Sequence, residues 1–161
     1  MSDAVVRALR PDDVEAFIGL IEALADYEHL ARPTAEARER LARDAVATAP
    51  RFAALLAELD GRPVGYAVFF ETYSTFLALP TLYLEDLFVL PDARGRGVGS
   101  ALFRACAAEA VRRACGRMEW QVLAWNDLAL GFYQHLGATA LHDDWRCYRL
   151  DGEMLRQLGA S

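Results

Sequence analysis

The run Val64–Phe70, VGYAVFF, is apolar at every consecutive position. A strand with one wet face alternates apolar with polar residues, so an unbroken apolar run fits a central strand covered on both faces. A second strand-like run, Phe52 to Leu59, precedes it, and the intervening Asp60-Gly61 is a strong hairpin signal. A third, LYLEDLFVL at 82–90, follows a loop around Pro80. Three such strands in succession call for a sheet packed against helices on its faces.

The flanking segments supply those helices. Val5 to Leu9 reads as a short strand, after which Pro11, Asp12 and Asp13 open a helix that runs to about Leu30. Its positions Phe17, Leu20, Ile21 and Leu24 share one face. Thr34 can cap a second helix ending near Ala47, with an apolar stripe thin enough for the surface. A further helix spans about Gly99 to Ala114, with Leu102, Phe103, Cys106, Ala110 and Val111 toward a core. A strand from Met118 to Ala124, a helix from Asp127 to Leu136 stopped by Gly137, a strand from Trp145 to Leu150 and a short tail helix complete the pattern. The expectation is one mixed α/β domain over 1–161, an antiparallel meander followed by helix crossovers.

Bulk properties narrow the function. A net charge of −6 lacks the basic surplus that nucleic acid demands. No apolar stretch approaches the ~20 residues of a membrane span, and the start has no leader pattern, so a soluble cytoplasmic protein is expected. Cys106, Cys115 and Cys147 are odd in number and widely spaced, and His29, His135 and His142 show no ligand spacing. Neither a disulfide framework nor a metal site is expected.

The segment PDARGRGVGS, 91–100, lies between a strand and a helix. A P-loop requires a lysine, and the chain has none. A dinucleotide fingerprint needs GxGxxG after a first strand, whereas Gly95, Gly97 and Gly99 alternate in mid-chain. A nucleophile elbow needs GxSxG, and Ser100 follows the last glycine instead. What remains is common to all three: small residues and unpaired helix amides suit some phosphate group, with Arg94 and Arg96 adding charge.

Arg94-Gly95-Arg96-Gly97-Val98-Gly99 fits [QR]xxGx[GA], and in that respect resembles the GNAT superfamily of acetyl-CoA-dependent N-acetyltransferases. YLEDLFVLPDARGRGVGS, WNDLALGFYQHLGA and LIEALADYEHL are similar to segments of the spermidine/spermine-type diamine N-acetyltransferases and their thialysine-acetylating relatives. The resemblance implies the acyl-CoA N-acyltransferase fold, an α/β (α+β) domain whose central sheet is mixed, mostly antiparallel and flanked by helices. It also implies a cytoplasmic homodimer that acts on a small amine with acetyl-CoA as donor, without metal, membrane or nucleic acid.

By the same resemblance, residues Arg94, Gly95, Arg96, Gly97, Val98, Gly99 and Ser100 hold the coenzyme pyrophosphate, and Leu87, Phe88 and Val89 bond the pantetheine arm through their backbones. Asn126, Asp127, Leu128 and Ala129 contribute at the start of a later helix. Tyr133, seven positions after Asn126 and so nearly on the same face, matches the tyrosine that protonates the departing thiolate.

An alkylamine of pKa about 10.4 is mostly ammonium at neutral pH and must lose a proton before it attacks. Glu85 and Asp86 interrupt an apolar strand, where a carboxylate is costly unless partnered or used. Strand alternation sends them to opposite faces unless a bulge redirects them. Glu85 matches the family's active-site glutamate and is assigned to cation binding and proton acceptance; Asp86 is assigned a second amine contact or a salt-bridged surface role. Further acceptor contacts implied by the resemblance are Tyr27, Glu28, Glu119, Trp120, Gln121 and either Asp143 or Asp144. Ser74, Thr75 and Phe76 stand where polyamine-acetylating members carry an acid and a tryptophan, which resembles the thialysine branch and favours shorter, amino-acid-like amines. A non-catalytic acyl-CoA-binding module and a protein or peptide acetyltransferase are the alternatives.

Overall fold

The computed structural model describes residues 4–141 and 146–160. The chain divides into two compact units, Met1–Gln121 and Val122–Ser161.

In the first unit β1 (Val5–Ala8) leads through a 3-10 turn at Pro11–Asp13 into α1 (Val14–Tyr27) and α2 (Ala35–Ala45). There follow β2 (Ala53–Leu59), β3 (Arg62–Ser74), β4 (Leu79–Val89), α3 (Val98–Arg112) and β5 (Arg117–Trp120). The sheet order is β1-β2-β3-β4-β5. The first four strands form an antiparallel meander, and α3 carries the chain over to β5, which lies parallel to β4. Asp60 and Gly61, with φ of 52° and 76°, make the two-residue turn between β2 and β3, the left-handed pair that matches the twist of a hairpin. Thr34 accepts the Ala37 amide and so caps α2 as expected.

Both faces of the sheet are covered. On one, Leu82 and Leu84 of β4 join Val98, Leu102, Cys106 and Ala110, the every-fourth-residue stripe of α3. Val111, expected on that stripe, is 80% exposed; one residue past Ala110 turns a side chain about 100° around the helix. On the other face, Phe17, Ile18 and Leu20 of α1 pack on Leu56, Tyr66, Val68 and Phe88, with α2 adding Leu41, Ala42 and Ala45 at the margin. Gly65 sits where β3, β4 and α3 converge: a Cβ there would lie 2.7 Å from the Phe88 carbonyl oxygen.

The second unit contains α4 (Asp127–His135) and α5 (Gly152–Gly159). Residues 146–150, expected as a strand, form no regular element. A strand is defined by its ladder, and none reaches this segment among the described residues. No helix among the described residues is long and apolar enough to cross a membrane.

Candidate active site

The site begins with an irregularity in β4. Val68 pairs with Asp86, but the next residue of β3, Phe69, pairs with Leu84. Glu85 is therefore the extra residue of a bulge. Before it, Leu82 and Leu84 face the α3 core; after it, Leu87 and Val89 do, and Phe88 faces the α1 core. The slip of one residue leaves Glu85 and Asp86 in succession on the α1 side, so the bulge overrides the alternation that would separate them. Both line a cavity of about 430 Å³ whose walls are Phe17, Ile21, Leu41, Phe52, Val68 and Phe70, with Arg51 as its remaining charged residue.

Asp86 Oδ2 accepts a hydrogen bond from the Tyr66 hydroxyl at 3.1 Å. Tyr66 is fully buried, edge-on to Phe17 with ring centres 5.4 Å apart. Burial pushes the Asp86 carboxyl up to about 6; the charges of Glu85 and Glu28 push the same way, and the Tyr66 bond opposes them. Burial also raises Glu28. The Tyr66 phenol is raised by burial and by the adjacent Asp86 charge, which keeps it a donor. Glu85 itself is exposed. Glu28, Glu85 and Asp86 thus form an acidic cluster, and no arginine is bonded to any of them among the described residues. Tyr66 was not among the expected site residues. Its sequence signal is slight: the single hydroxyl in the apolar run.

The loop after β4 has two conformational requirements, φ of 73° at Gly95 and 80° at Gly97, values that side-chain-bearing residues rarely adopt. The Gly97 carbonyl accepts from the Ala101 amide at 2.9 Å. The amides of Val98, Gly99 and Ser100 precede the first intrahelical bond and point out of the N-terminus of α3, whose first turn holds no acid. Arg94 is committed within the protein: its Nε donates to Val89 O at 2.9 Å, and its guanidinium lies 4.6 Å over the Tyr27 ring and 5.7 Å from that of Phe88. It ties the end of α1 to β4. Arg96 is exposed and 3.9 Å from Asp60.

Beside the loop, β4 has an open edge. β5 pairs with it only over Thr81–Leu84. The Leu90 amide donates to Val64 O at 2.9 Å, which sets the ladder phase: Phe88 and Asp86 turn their backbone groups to β3, and Leu87 and Val89 turn theirs outward. Among the described residues no strand pairs this edge.

The other expected residues lie on β5 and in the second unit. Glu119 lies alongside Tyr83 and 2.9 Å from Arg117 Nε. Trp120 packs edge-on to Phe103 at 5.2 Å, on the α3 face and away from the cavity. Gln121 is exposed. In the second unit, Asn126 Oδ1 accepts the Ala129 amide at 3.2 Å and caps α4; Asp127 and Leu128 are exposed in its first turn. Tyr133 stands on the same helix, 5.2 Å from the Phe132 ring. Asp143 and Asp144 lie outside the described residues.

Comparisons with known proteins bear on the family and the fold. Residues 17–138 match the acetyltransferase (GNAT) family. The chain is 33% identical over 168 residues to the thialysine N-epsilon-acetyltransferase of Bos taurus, covering 98% of each. It is 39% identical over 94 residues to an L-ornithine N5-acetyltransferase of Arabidopsis thaliana, covering 58% of this chain and 41% of that one. Among solved structures, an integron cassette protein of V. cholerae superposes with a TM-score of 0.82 at 24% identity, over 100% of this chain and 99% of the other.

Proposed function

We propose, from the premise that this chain belongs to the GNAT acetyltransferase family and is an acetyl-CoA-dependent N-acetyltransferase, that its acceptor is a primary amine of a small cationic molecule, thialysine- or lysine-like or a diamine. The observation that carries this reading is the pair Glu85 and Asp86 on the wall of an otherwise largely apolar cavity. Partly desolvated carboxylates with no cation bonded to them gain from a ligand that brings one. An alkylammonium with a methylene stem supplies both the charge and the apolar body. The near full-length similarity to thialysine acetyltransferases points the same way.

The donor's place fits the residues present. The left-handed Gly95 and Gly97 and the amides at 98–100 form an anion cradle, and the outward backbone groups of Leu87 and Val89 offer an edge to an extended amide-bearing arm. Bound there, acetyl-CoA supplies an activated thioester. Glu85, exposed at the bulge, binds the ammonium and accepts its proton directly or through water. Asp86, held by Tyr66, adds a second negative contact, and Tyr133 donates a proton to the leaving sulfur. Tyr27 and Glu28 extend the acceptor cleft from the end of α1. The amine attacks directly in a ternary complex. Cys106 is enclosed in the core with its thiol pushed up to about 12 by burial, which makes it a poor nucleophile for a covalent relay. The family match crosses the division after Gln121, which supports reading both units as one functional domain. We take it to act as a cytoplasmic homodimer.

A CoA-release assay over thialysine, lysine, ornithine, putrescine, cadaverine, spermidine, spermine and lysine-containing peptides tests the reading. Turnover is expected for the short amines, ahead of spermine. Preference for spermine overturns the ranking, preference for peptides makes the chain a protein acetyltransferase, and acetyl-CoA binding with no turnover makes it a binding module.

A further inference from the structure

We infer that Arg51 reads the α-carboxylate of a free amino-acid acceptor, so that the cavity selects a zwitterion over a simple diamine; this rests on the acceptor-cleft reading above. The cavity carries charges of both signs. Glu85 and Asp86 are acidic, Arg51 is basic, and the rest of the lining is apolar. A diamine places ammonium groups at both ends and would set one against a guanidinium. An amino acid with a side-chain amine has the matching order: cation, methylene stem, anion.

Arg51 is placed for the task. It stands directly before Phe52, whose ring packs 6.3 Å from Phe17 in the cavity wall. Its Nε is 3.8 Å from Asp44 Oδ2, too long for a hydrogen bond, while the other oxygen of Asp44 is engaged by Arg43 Nε at 2.9 Å. The side chain is therefore steered by Asp44 without its donors being consumed. At 82% exposure its donors are open to a ligand, and its planar fork matches a carboxylate through two parallel bonds. Selection also gains from repulsion of the wrong ligand.

The test compares lysine with cadaverine, its decarboxylated counterpart, and with lysinamide, which keeps the shape but not the charge. Steady-state constants are measured by CoA release for the wild type, Arg51→Gln and Arg51→Lys. Arg51→Gln is expected to lower kcat/KM for lysine about tenfold, chiefly through KM, while cadaverine and lysinamide change less than twofold; Arg51→Lys recovers part of the loss. An equal loss on all three compounds, or none on lysine, overturns the assignment and leaves the amine-acetyltransferase reading standing. If the wild type turns over no amine, that reading fails, and calorimetric titration of lysine into the CoA-saturated protein decides the inference: binding lost in Arg51→Gln supports it, and no binding overturns it.

Discussion

Two groups of acids on the first unit have opposite electrostatic fates. Near β1, Arg7 bonds both oxygens of Asp13, at 2.6 and 2.9 Å, and also Glu58. The Arg7 bond holds the Asp13 carboxyl down at about 2. At the β4 bulge, Glu28, Glu85 and Asp86 gather with no arginine bonded to them among the described residues; Tyr66 donates to Asp86, and burial drives Asp86 up to about 6. An acid that serves the fold is delivered with its cation. Acids with no bonded cation, two of them lining a cavity, suit a cation from outside, and perturbation of this sign marks candidate functional sites.

The largest effect that tests this contrast is on activity. At pH 7 only about 0.04% of an amine with pKa ~10.4 is uncharged, so removing the proton acceptor should be costly. Glu85→Gln is expected to lower kcat/KM by about 10²–10³-fold. The deficit should shrink as pH rises toward 10, where the amine deprotonates unaided. A pH–rate series on the best amine checks this, and an undiminished rate at pH 7.5 would remove Glu85 from the chemistry.

The next effect is on stability, and its sign should differ between the two acid groups. Asp86 has a raised pKa, so its ionisation opposes folding: the penalty is absent below pH ~4, grows as pH rises through about 6, and reaches at most about 3 kcal/mol. Asp86→Asn should therefore be more stable than the wild type at pH 8 and equal to it near pH 4. Asp13 has a depressed pKa, so its pairing is worth most above pH ~4 and is lost as pH falls through about 2. Arg7→Met should lose about 2 kcal/mol from pH 5 to 8, a deficit that closes in acid, with kcat unchanged. Urea unfolding of the three proteins across pH reads both slopes. Parallel slopes would erase the distinction on which the site assignment stands.

Much of this molecule is legible from residue order. Local rules suffice for the Asp60-Gly61 turn, the Thr34 and Asn126 caps and the apolar runs that become β2, β3 and β4, because each depends on neighbours a few positions away. The loop at 94–100 is legible for the same reason, since glycine is the residue a left-handed φ favours. The bulge is different. No glycine or proline marks Glu85, and the slip exists only in the register of β4 against β3. Alternation alone therefore separates two carboxylates that the fold brings onto one face. The Tyr66–Asp86 pair spans 20 positions, and whether a hydroxyl in an apolar run meets an acid depends on which strands pair and in what phase. Arg94 shows the limit again: charge beside glycines suggests a phosphate contact, and nothing local foretells that its Nε also bonds Val89 O and its guanidinium lies over Tyr27 and near Phe88.

The smallest expected effect sharpens the contrast most, because it isolates the hydrogen bond that Tyr66 gives to Asp86. Tyr66→Phe keeps the ring that packs on Phe17 and deletes only the hydroxyl. That hydroxyl favours ionised Asp86, so its loss should raise the Asp86 pKa further above its ordinary value and cost about 1 kcal/mol at pH 8. The cost should diminish toward pH 4, where the carboxyl is protonated with or without the phenol. Carboxyl-carbon NMR of Asp86 together with urea unfolding at the two pH values measures both quantities. If Asp86 titrates unchanged in Tyr66→Phe, the phenol is a packing group and the acid's pKa is set by burial and its acidic neighbours alone. If it moves up, an amine arriving at the cavity meets an acid that the protein holds partly charged by design of its strand register, through a residue three strand positions from Phe69 on the opposite face of the α3 core.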